Sequence, residues 1–298
     1  MLGVLEAFGG ELGRTDCLKM LFLLGQQVRS KRHYDFFPYH YGPFSHVAMQ
    51  DKRRLMAQGY LRDTDGFVLA NASGHLDRLN ATDRASLVEL VAVVGSLRGR
   101  ELLRHVYLTH PDCCCRSRVA ADVLSDGEWS LVSSQWNAEI SPCLFTMGYE
   151  GMTIDAVLNC LIAHNVRSVV DVRRNALSMK YGFSKKALGR YLAACGLEYT
   201  HCPELGIPSA LRDDLDSPES YKRLFAKYRE SILPDAGASI NRVLQAVDER
   251  GRVALLCFER GYQQCHRHIV AEAIVAAVTG LPLEHLSENG CVSAQRSQ

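Results

Sequence analysis

Apolar residues change their spacing along the chain. Up to about residue 124 they recur mostly at helical intervals, and from residue 142 onward short apolar runs alternate with helical stretches. Runs at 144–147, 166–172, 197–200, 252–257 and 283–286 predict strands, the last of them short. Segments 153–164, 184–195, 217–233, 236–250 and 265–279 predict helices. Thr153 and Ser184 stand at N-cap positions, and Gly196 lies just past a helix end. Strands alternating with helices imply an α/β fold, a mostly parallel sheet with flanking helices. The runs 166–172 and 252–257 have the unbroken apolar character of strands buried on both faces.

The earlier part of the chain reads differently. Leu18, Leu21, Phe22 and Leu24 give helical period to residues 15–28, with Thr15 or Asp16 as a cap. Gly42-Pro43 marks a turn, Ser45 caps a helix to about Gln58, and Gly59 suits its end. Residues 60–71 read as a hairpin around Thr64-Asp65-Gly66. Helix, helix, hairpin is the order of a winged helix-turn-helix. Residues 76–124 look helical with a break at Pro111, and the polar stretch 126–142, which holds both tryptophans, is the expected boundary. The reading is a winged-helix-like domain at 1–75, a helical extension and linker at 76–141, and the α/β domain at 142–298.

Charge narrows the partners. The 34 Lys and Arg nearly balance the 33 Asp and Glu, so any nucleic-acid surface must be local. Residues 1–10 lack the basic and apolar regions of a signal peptide, and no apolar run approaches a membrane span. The 11 cysteines then fit a reduced, cytoplasmic chain in which they pack, ligate or react.

Parallel strands end on one edge, where open α/β sheets place ligands. That edge collects Gly148, Tyr149, Asp171, Arg173, Glu204, Cys257, Glu259, Cys265, His266 and Arg267. Cys265, His266 and Arg267 are expected in the first turn of a helix, where free amides favour an anion. Arg173 and Arg267 can fork onto a phosphate or carboxylate. Cys257 or Cys265 is the expected nucleophile, with His266, Glu259 or Asp171 moving protons. Gly148, Tyr149 and Glu204 are expected to line the substrate, and Gly148 and Gly206 to admit it close to the backbone. An Asp171–Arg173 ion pair and a core-packing Cys257 are equally plain readings of those residues.

Zinc competes for Cys257, Cys265, His266 and His268. The spacing is not a paired Cys-x-x-Cys, and neighbouring residues at a helix start diverge by about 100°. The expectation is therefore no cofactor. Cys113-Cys114-Cys115 diverge in the same way and read as core filling.

Residues 29–62 hold seven Lys or Arg against two Asp, interleaved with Tyr34, Tyr39 and Tyr41. Arg29, Lys31, Arg32, Lys52, Arg53 and Arg54 are the candidates for phosphate contact, with aromatics for stacking.

From about 145 to 285 the chain resembles the domain of unknown function 488 family. The marks are Thr146-Met-Gly148-Tyr149, Val170-Asp171-Val-Arg173, Phe183-Ser-Lys, Tyr199 with Pro203-Glu204-Leu-Gly206, and Cys257-Phe-Glu259 followed by Cys265-His266-Arg267. The resemblance implies an α/β fold and a loose association with nucleic-acid, stress and defence contexts, and it brings no activity. Residues 18–61, through Tyr39-His-Tyr41-Gly42-Pro43-Phe44-Ser45, are similar to SocA-like or Panacea antitoxin-associated domains. That similarity implies a protein partner.

The combined expectation is an N-terminal domain that binds nucleic acid and an α/β domain that acts on a nucleotide, base or other phosphate-bearing substrate. The alternatives are a ligand-sensing DNA-binding regulator without turnover and a protein-interaction adaptor.

Overall fold

The computed structural model describes residues 1–27, 34–71, 73–211 and 217–287. The chain divides into two compact units, Met1–Trp136 and Asn137–Gln298.

The first unit contains α1 (Leu2–Ala7), β1 (Glu11–Leu12), α2 (Arg14–Gln27), β2 (Phe37–Tyr39), β3 (Gly42–Phe44), α3 (His46–Ala57) and β4 (Phe67–Val68). It continues through α4 (Ala81–Val94), α5 (Gly99–Thr109), α6 (Ala120–Val123) and α7 (Asp126–Ser133). Helix α2 is buried from Cys17 to Leu24, so it runs through the core rather than along a face. Residues of α4 and α5, among them Leu87, Leu90, Leu102 and Val106, share that core with Leu5, Leu12 and Met20. The Asp16 carboxylate accepts from the amide of Gly99 at 3.0 Å, so it serves the start of α5. The Ser45 hydroxyl accepts from the amide of Ala48 at 3.1 Å, and Gly59 has φ +77°, as a helix start and stop require.

A hairpin, β2–β3, stands between α2 and α3 where the sequence reading placed only a turn. Its Pro38 pairs with Pro43, so neither offers an amide there, and an alternation rule sees little in three-residue strands. Gly42 turns the hairpin at φ +80°, and a Cβ there would lie 2.7 Å from the Tyr107 ring. Residues 60–70 do fold back. The amide of Arg62 donates to Val68, that of Ala70 donates to Tyr60, and β4 pairs antiparallel with β1. Segment 126–142 opens with α7, started by a Ser125–Glu128 capping box.

The second unit is α/β, as its alternating pattern predicts. It contains β5 (Cys143–Gly148), α8 (Ile154–Ala163), β6 (Ser168–Asp171), α9 (Lys185–Ala194) and β7 (Glu198–His201). There follow α10 (Pro218–Lys227), α11 (Gly237–Arg250), β8 (Arg252–Cys257), α12 (Arg267–Ala277) and β9 (Leu283–Leu286). The five-stranded sheet has the order β7-β6-β8-β5-β9, with every neighbouring pair parallel. β5, β6 and β8 are buried at every position, while β7 and β9 are partly open edges. Gly148 pairs with Cys257, and Asp171 pairs with both Leu256 and His201. This register aligns the strand ends at one rim. No described helix is long and apolar enough to cross a membrane.

Lys19 is an exception to apolar burial in the first unit. Its ammonium donates to the carbonyl of Pro43 at 2.9 Å, and burial pushes it down to about 8. The unfolded chain keeps that proton to about pH 10 while the folded chain releases it near pH 8. Lys19 therefore costs stability below pH 8 and costs progressively less as pH rises. Urea unfolding followed at Trp129 and Trp136 should show wild type gaining about 3 kcal/mol relative to Lys19→Met between pH 8 and 10. A constant difference would mean that Lys19 is not buried as an ammonium.

Candidate active site

The site forms where β8 passes through residues 258–266 into α12. Cys257 closes β8, and just beyond it the amides of Tyr149 and Glu150 still donate to the carbonyls of Cys257 and Phe258. Cys265 is extended, with φ −136° and ψ 134°, and His266 is the N-cap of α12, which begins at Arg267. The expected divergence of Cys265 and His266 assumed both lay inside the helix. Because Cys265 precedes it, the ligand atoms of Cys257, Cys265 and His266 all lie within 4.8 Å of one another. Each of the three is 1% exposed.

Hydrogen bonds fix the roles inside this cluster. Cys257 Sγ donates to Glu259 Oε2 at 3.2 Å. His266 Nε2 bonds the carbonyl of Val172 at 2.9 Å, so Nε2 carries the proton and Nδ1 is left for the sulfurs. The hydrogen bond to Cys265 and burial push the Cys257 thiol well up. Burial and the charge of Cys265 raise the Glu259 carboxyl. Burial would also raise Cys265, but the hydrogen bonds from Cys257 and His266, with the charges of His266 and Arg267, bring it well below its ordinary value. Burial opposes a charged His266, yet the hydrogen bond and charge of Cys265 outweigh it and raise the imidazole. The cluster thus gathers one sulfur that favours the anion, one thiol, one carboxyl and one imidazole.

A second polar frame supports it from β6. Arg173 donates through Nε to Asp171 Oδ1 at 2.8 Å and through Nη2 to Asp171 Oδ2 at 2.5 Å. Its Nη1 donates to the Tyr149 hydroxyl at 2.7 Å and to the carbonyl of Phe183 at 2.9 Å. The Tyr199 hydroxyl donates to Asp171 Oδ2 at 2.8 Å, and His201 Nε2 donates to the carbonyl of Arg173 at 2.9 Å. The Tyr149 ring stacks on Phe183 at 4.1 Å. The frame reaches the thiols through Val172, whose carbonyl holds His266.

The sequence reading gave Arg173 and Arg267 to an anion, and the structure turns the Arg173 guanidinium and both Nη groups of Arg267 onto the protein, while Arg267 Nε is buried without a partner. Arg267 is 1% exposed and donates from Nη1 to the carbonyl of Glu259 at 2.6 Å and from Nη2 to that of Arg260 at 3.0 Å. It holds the loop closed across the start of α12. Gly148 and Gly206 leave room for neighbouring backbone rather than for a ligand. A Cβ would lie 1.7 Å from the Glu259 carbonyl oxygen at Gly148 and 2.0 Å from the Arg174 amide at Gly206. Glu204 accepts from the Ser239 hydroxyl of α11 at 2.8 Å, which turns it toward that helix.

Three cations missed in the sequence lie at the same strand ends. Arg174 is exposed one residue beyond the buried Arg173, past the end of β6, and Arg260 is exposed beyond β8. Lys180 is half-buried, and its ammonium donates to the carbonyl of Tyr149 at 3.1 Å. The missed signal was alternation: in an extended segment the neighbour of an inward-facing residue points outward. Tyr228 was missed as well. A π-turn at Tyr228–Ile232 interrupts the predicted 217–233 helix and puts the Tyr228 ring 5.7 Å from His266.

In the first unit, Arg29, Lys31 and Arg32 lie outside the described residues. Lys52 is buried, and its ammonium donates to the carbonyls of Thr64 and Asp65 at 2.7 and 3.0 Å, which closes the 60–70 turn. Arg53 and Arg54 are exposed. Of the aromatics, Tyr34 donates to Asp51 at 2.9 Å and Tyr41 is exposed. The thiols of Cys113 and Cys114 are buried and held above their ordinary range by burial. Not every cysteine is reduced: Cys160 is disulfide-bonded.

A parallel α/β sheet with a Cys/His cluster at its strand ends is the class that this fold and site define. Residues 153–274 match the family model of a domain of unknown function, DUF488, which places the similarity in the second unit and on most of the rim. The match covers no residue of the first unit. No curated protein and no solved structure matches the chain.

The Asp171 carboxylate balances a buried guanidinium and a half-buried hydroxyl. Asp171→Ala leaves both without their acceptor and should lower the stability of the second unit by about 3–5 kcal/mol. Urea unfolding by circular dichroism, compared with wild type, measures it. A loss under about 1 kcal/mol would show that water replaces the carboxylate and that the frame is not closed.

Proposed function

We propose that the second unit is an enzyme acting on a phosphate-bearing substrate of the nucleotide, base or nucleic-acid class. One observation carries this reading: the functional atoms of Cys257, Cys265 and His266 meet within 4.8 Å at the rim where β5, β6 and β8 end together. The sulfurs are the groups able to form a bond. His266 Nδ1 and the Glu259 carboxyl are the groups able to move a proton. Arg174, Lys180 and Arg260 line the same strand ends and supply positive charge for the phosphate, in place of Arg173 and Arg267. Asp171, Arg173, Tyr149 and Arg267 position the reacting groups.

Incubation of the full chain with a panel of nucleotides and oligonucleotides, with products read by mass spectrometry, tests the reading. Cys265→Ser and His266→Gln should each reduce turnover by about 1,000-fold or more while circular dichroism stays native. Arg174→Ala with Arg260→Ala should raise KM more than it lowers kcat, because the pair binds ground state and transition state alike. Unchanged turnover in Cys265→Ser and His266→Gln would refute the assignment. Ligand bound tightly and recovered unaltered would favour a sensor that regulates the first unit.

We propose further that the first unit contacts nucleic acid as a winged-helix-like module in a cytoplasmic protein. The exposed Arg53 and Arg54 on α3 and the exposed Tyr41 support this reading. Anisotropy with a labelled duplex across a salt series should show Arg53→Ala/Arg54→Ala lowering the slope of log affinity against log salt by about 2. An unchanged slope, or recovery of a stoichiometric protein partner with no duplex binding at low salt, would favour the adaptor reading.

A further inference from the structure

We propose that Cys257, Cys265 and His266 bind one zinc-class divalent cation, with the Glu259 carboxyl in reach of a fourth position. The inference rests on the proposed function only for the place of the reacting centre, and it names the cofactor of that centre.

Four features of the geometry support it. First, three soft or borderline donors are brought together from two segments of chain, each 1% exposed, within 4.8 Å. In a tetrahedral zinc site the bond lengths, about 2.3 Å to sulfur and about 2.1 Å to nitrogen, place ligand atoms roughly 3.6–3.8 Å apart. Contraction by about an ångström at most would close the cluster on an ion. Second, His266 is already oriented. Its Nε2–H is held by the carbonyl of Val172, and a backbone carbonyl is one of the usual outer partners of a metal-bound histidine. Third, Glu259 Oε2 lies 3.2 Å from Cys257 Sγ, so a carboxylate oxygen stands beside the donor set and is the least buried member of it. Fourth, the loop that carries these residues is fixed at its other side by Arg267, so the donors are held before any ion arrives.

Binding displaces the Cys257 thiol proton and the proton shared between Cys265 and His266 Nδ1, and releases both to solvent. Two thiolates, one carboxylate and a divalent ion sum to a single negative charge, which the buried Arg267 guanidinium offsets. With the ion bound, the sulfurs act as ligands. The half-buried Glu259 side is then where a water or a substrate oxygen would meet the cation, as an open fourth position allows.

Cobalt(II) is the probe, because its thiolate complexes absorb in the near ultraviolet and its tetrahedral complexes in the visible. The reduced full chain, dialysed against a chelator, should take up one cobalt ion per chain with both bands, and zinc should displace it. Cys257→Ser, Cys265→Ser and His266→Gln should each weaken uptake by more than the about 100-fold that loss of an outer partner costs. Cys113→Ser, at the other cysteine group, should leave uptake unchanged. Glu259→Gln spares both sulfurs and should change the visible band while keeping the near-ultraviolet one, which tests the site if a cysteine variant fails to fold. Absence of cobalt uptake, or uptake indifferent to Cys257 and Cys265, would overturn the inference. Turnover by protein that binds no cobalt would overturn it and leave the proposed function standing, whereas cobalt held by this cluster without turnover would do the reverse.

Discussion

The guanidinium of Arg267 and the two carbonyls it grips hold the rim together. Arg267 is the first residue of α12, and its acceptors lie seven and eight residues back, in the loop that leaves β8. Closing that short loop brings its beginning, Cys257, against its end, Cys265. The guanidinium has no carboxylate partner in these bonds, and a buried cation is tolerated only where such acceptors are fixed in place. Gly148 belongs to the same arrangement, because only a residue without a side chain lets the Glu259 carbonyl turn inward toward the guanidinium.

The parallel register supplies the rest. Gly148 opposite Cys257 and Asp171 opposite Leu256 set three strand ends level, so groups distant in sequence stand next to each other. Polar contacts then link them in series: Tyr199 to Asp171, Asp171 to Arg173, Arg173 to Tyr149, and the Val172 carbonyl to His266. These bonds are buried, apart from the half-buried one at Tyr199, and they share partners. A network of this kind rigidifies its surroundings when every member is satisfied and becomes costly when one is removed.

Much of this was legible in the sequence. The strands Arg252–Cys257 and Leu283–Leu286 fall where their apolar runs end, and Thr153 and Ser45 cap helices as their positions suggest. Such signals are local, and local chemistry writes them directly. The convergence of Cys257, Cys265 and His266 was only half legible. The rim could be deduced from parallel strands, but the separation of Cys265 from His266 depended on the helix starting at Arg267, and helix starts are uncertain by a residue or two. Lys52 illustrates a deeper limit. It sits in a basic run that reads as solvated, and only the tertiary turn at Thr64 and Asp65 reveals that its ammonium is enclosed. The capping box of Ser125 and Glu128, by contrast, was present in the sequence and overlooked beneath a polar composition.

Where the chain leaves β6, inward and outward charges are neighbours: Arg173 faces in and Arg174 faces out. Where it leaves β8, Glu259 leans toward the sulfurs and Arg260 faces out. The identity of the outward residue can drift at little cost to folding. Loop length has no such freedom. Inserting or deleting one residue on either exit would exchange the two charges, turning the knot around Asp171 inside out or withdrawing the carboxyl from the thiols. Variation at this rim is therefore expected as substitution at outward positions, with the spacing of the strand exits held constant.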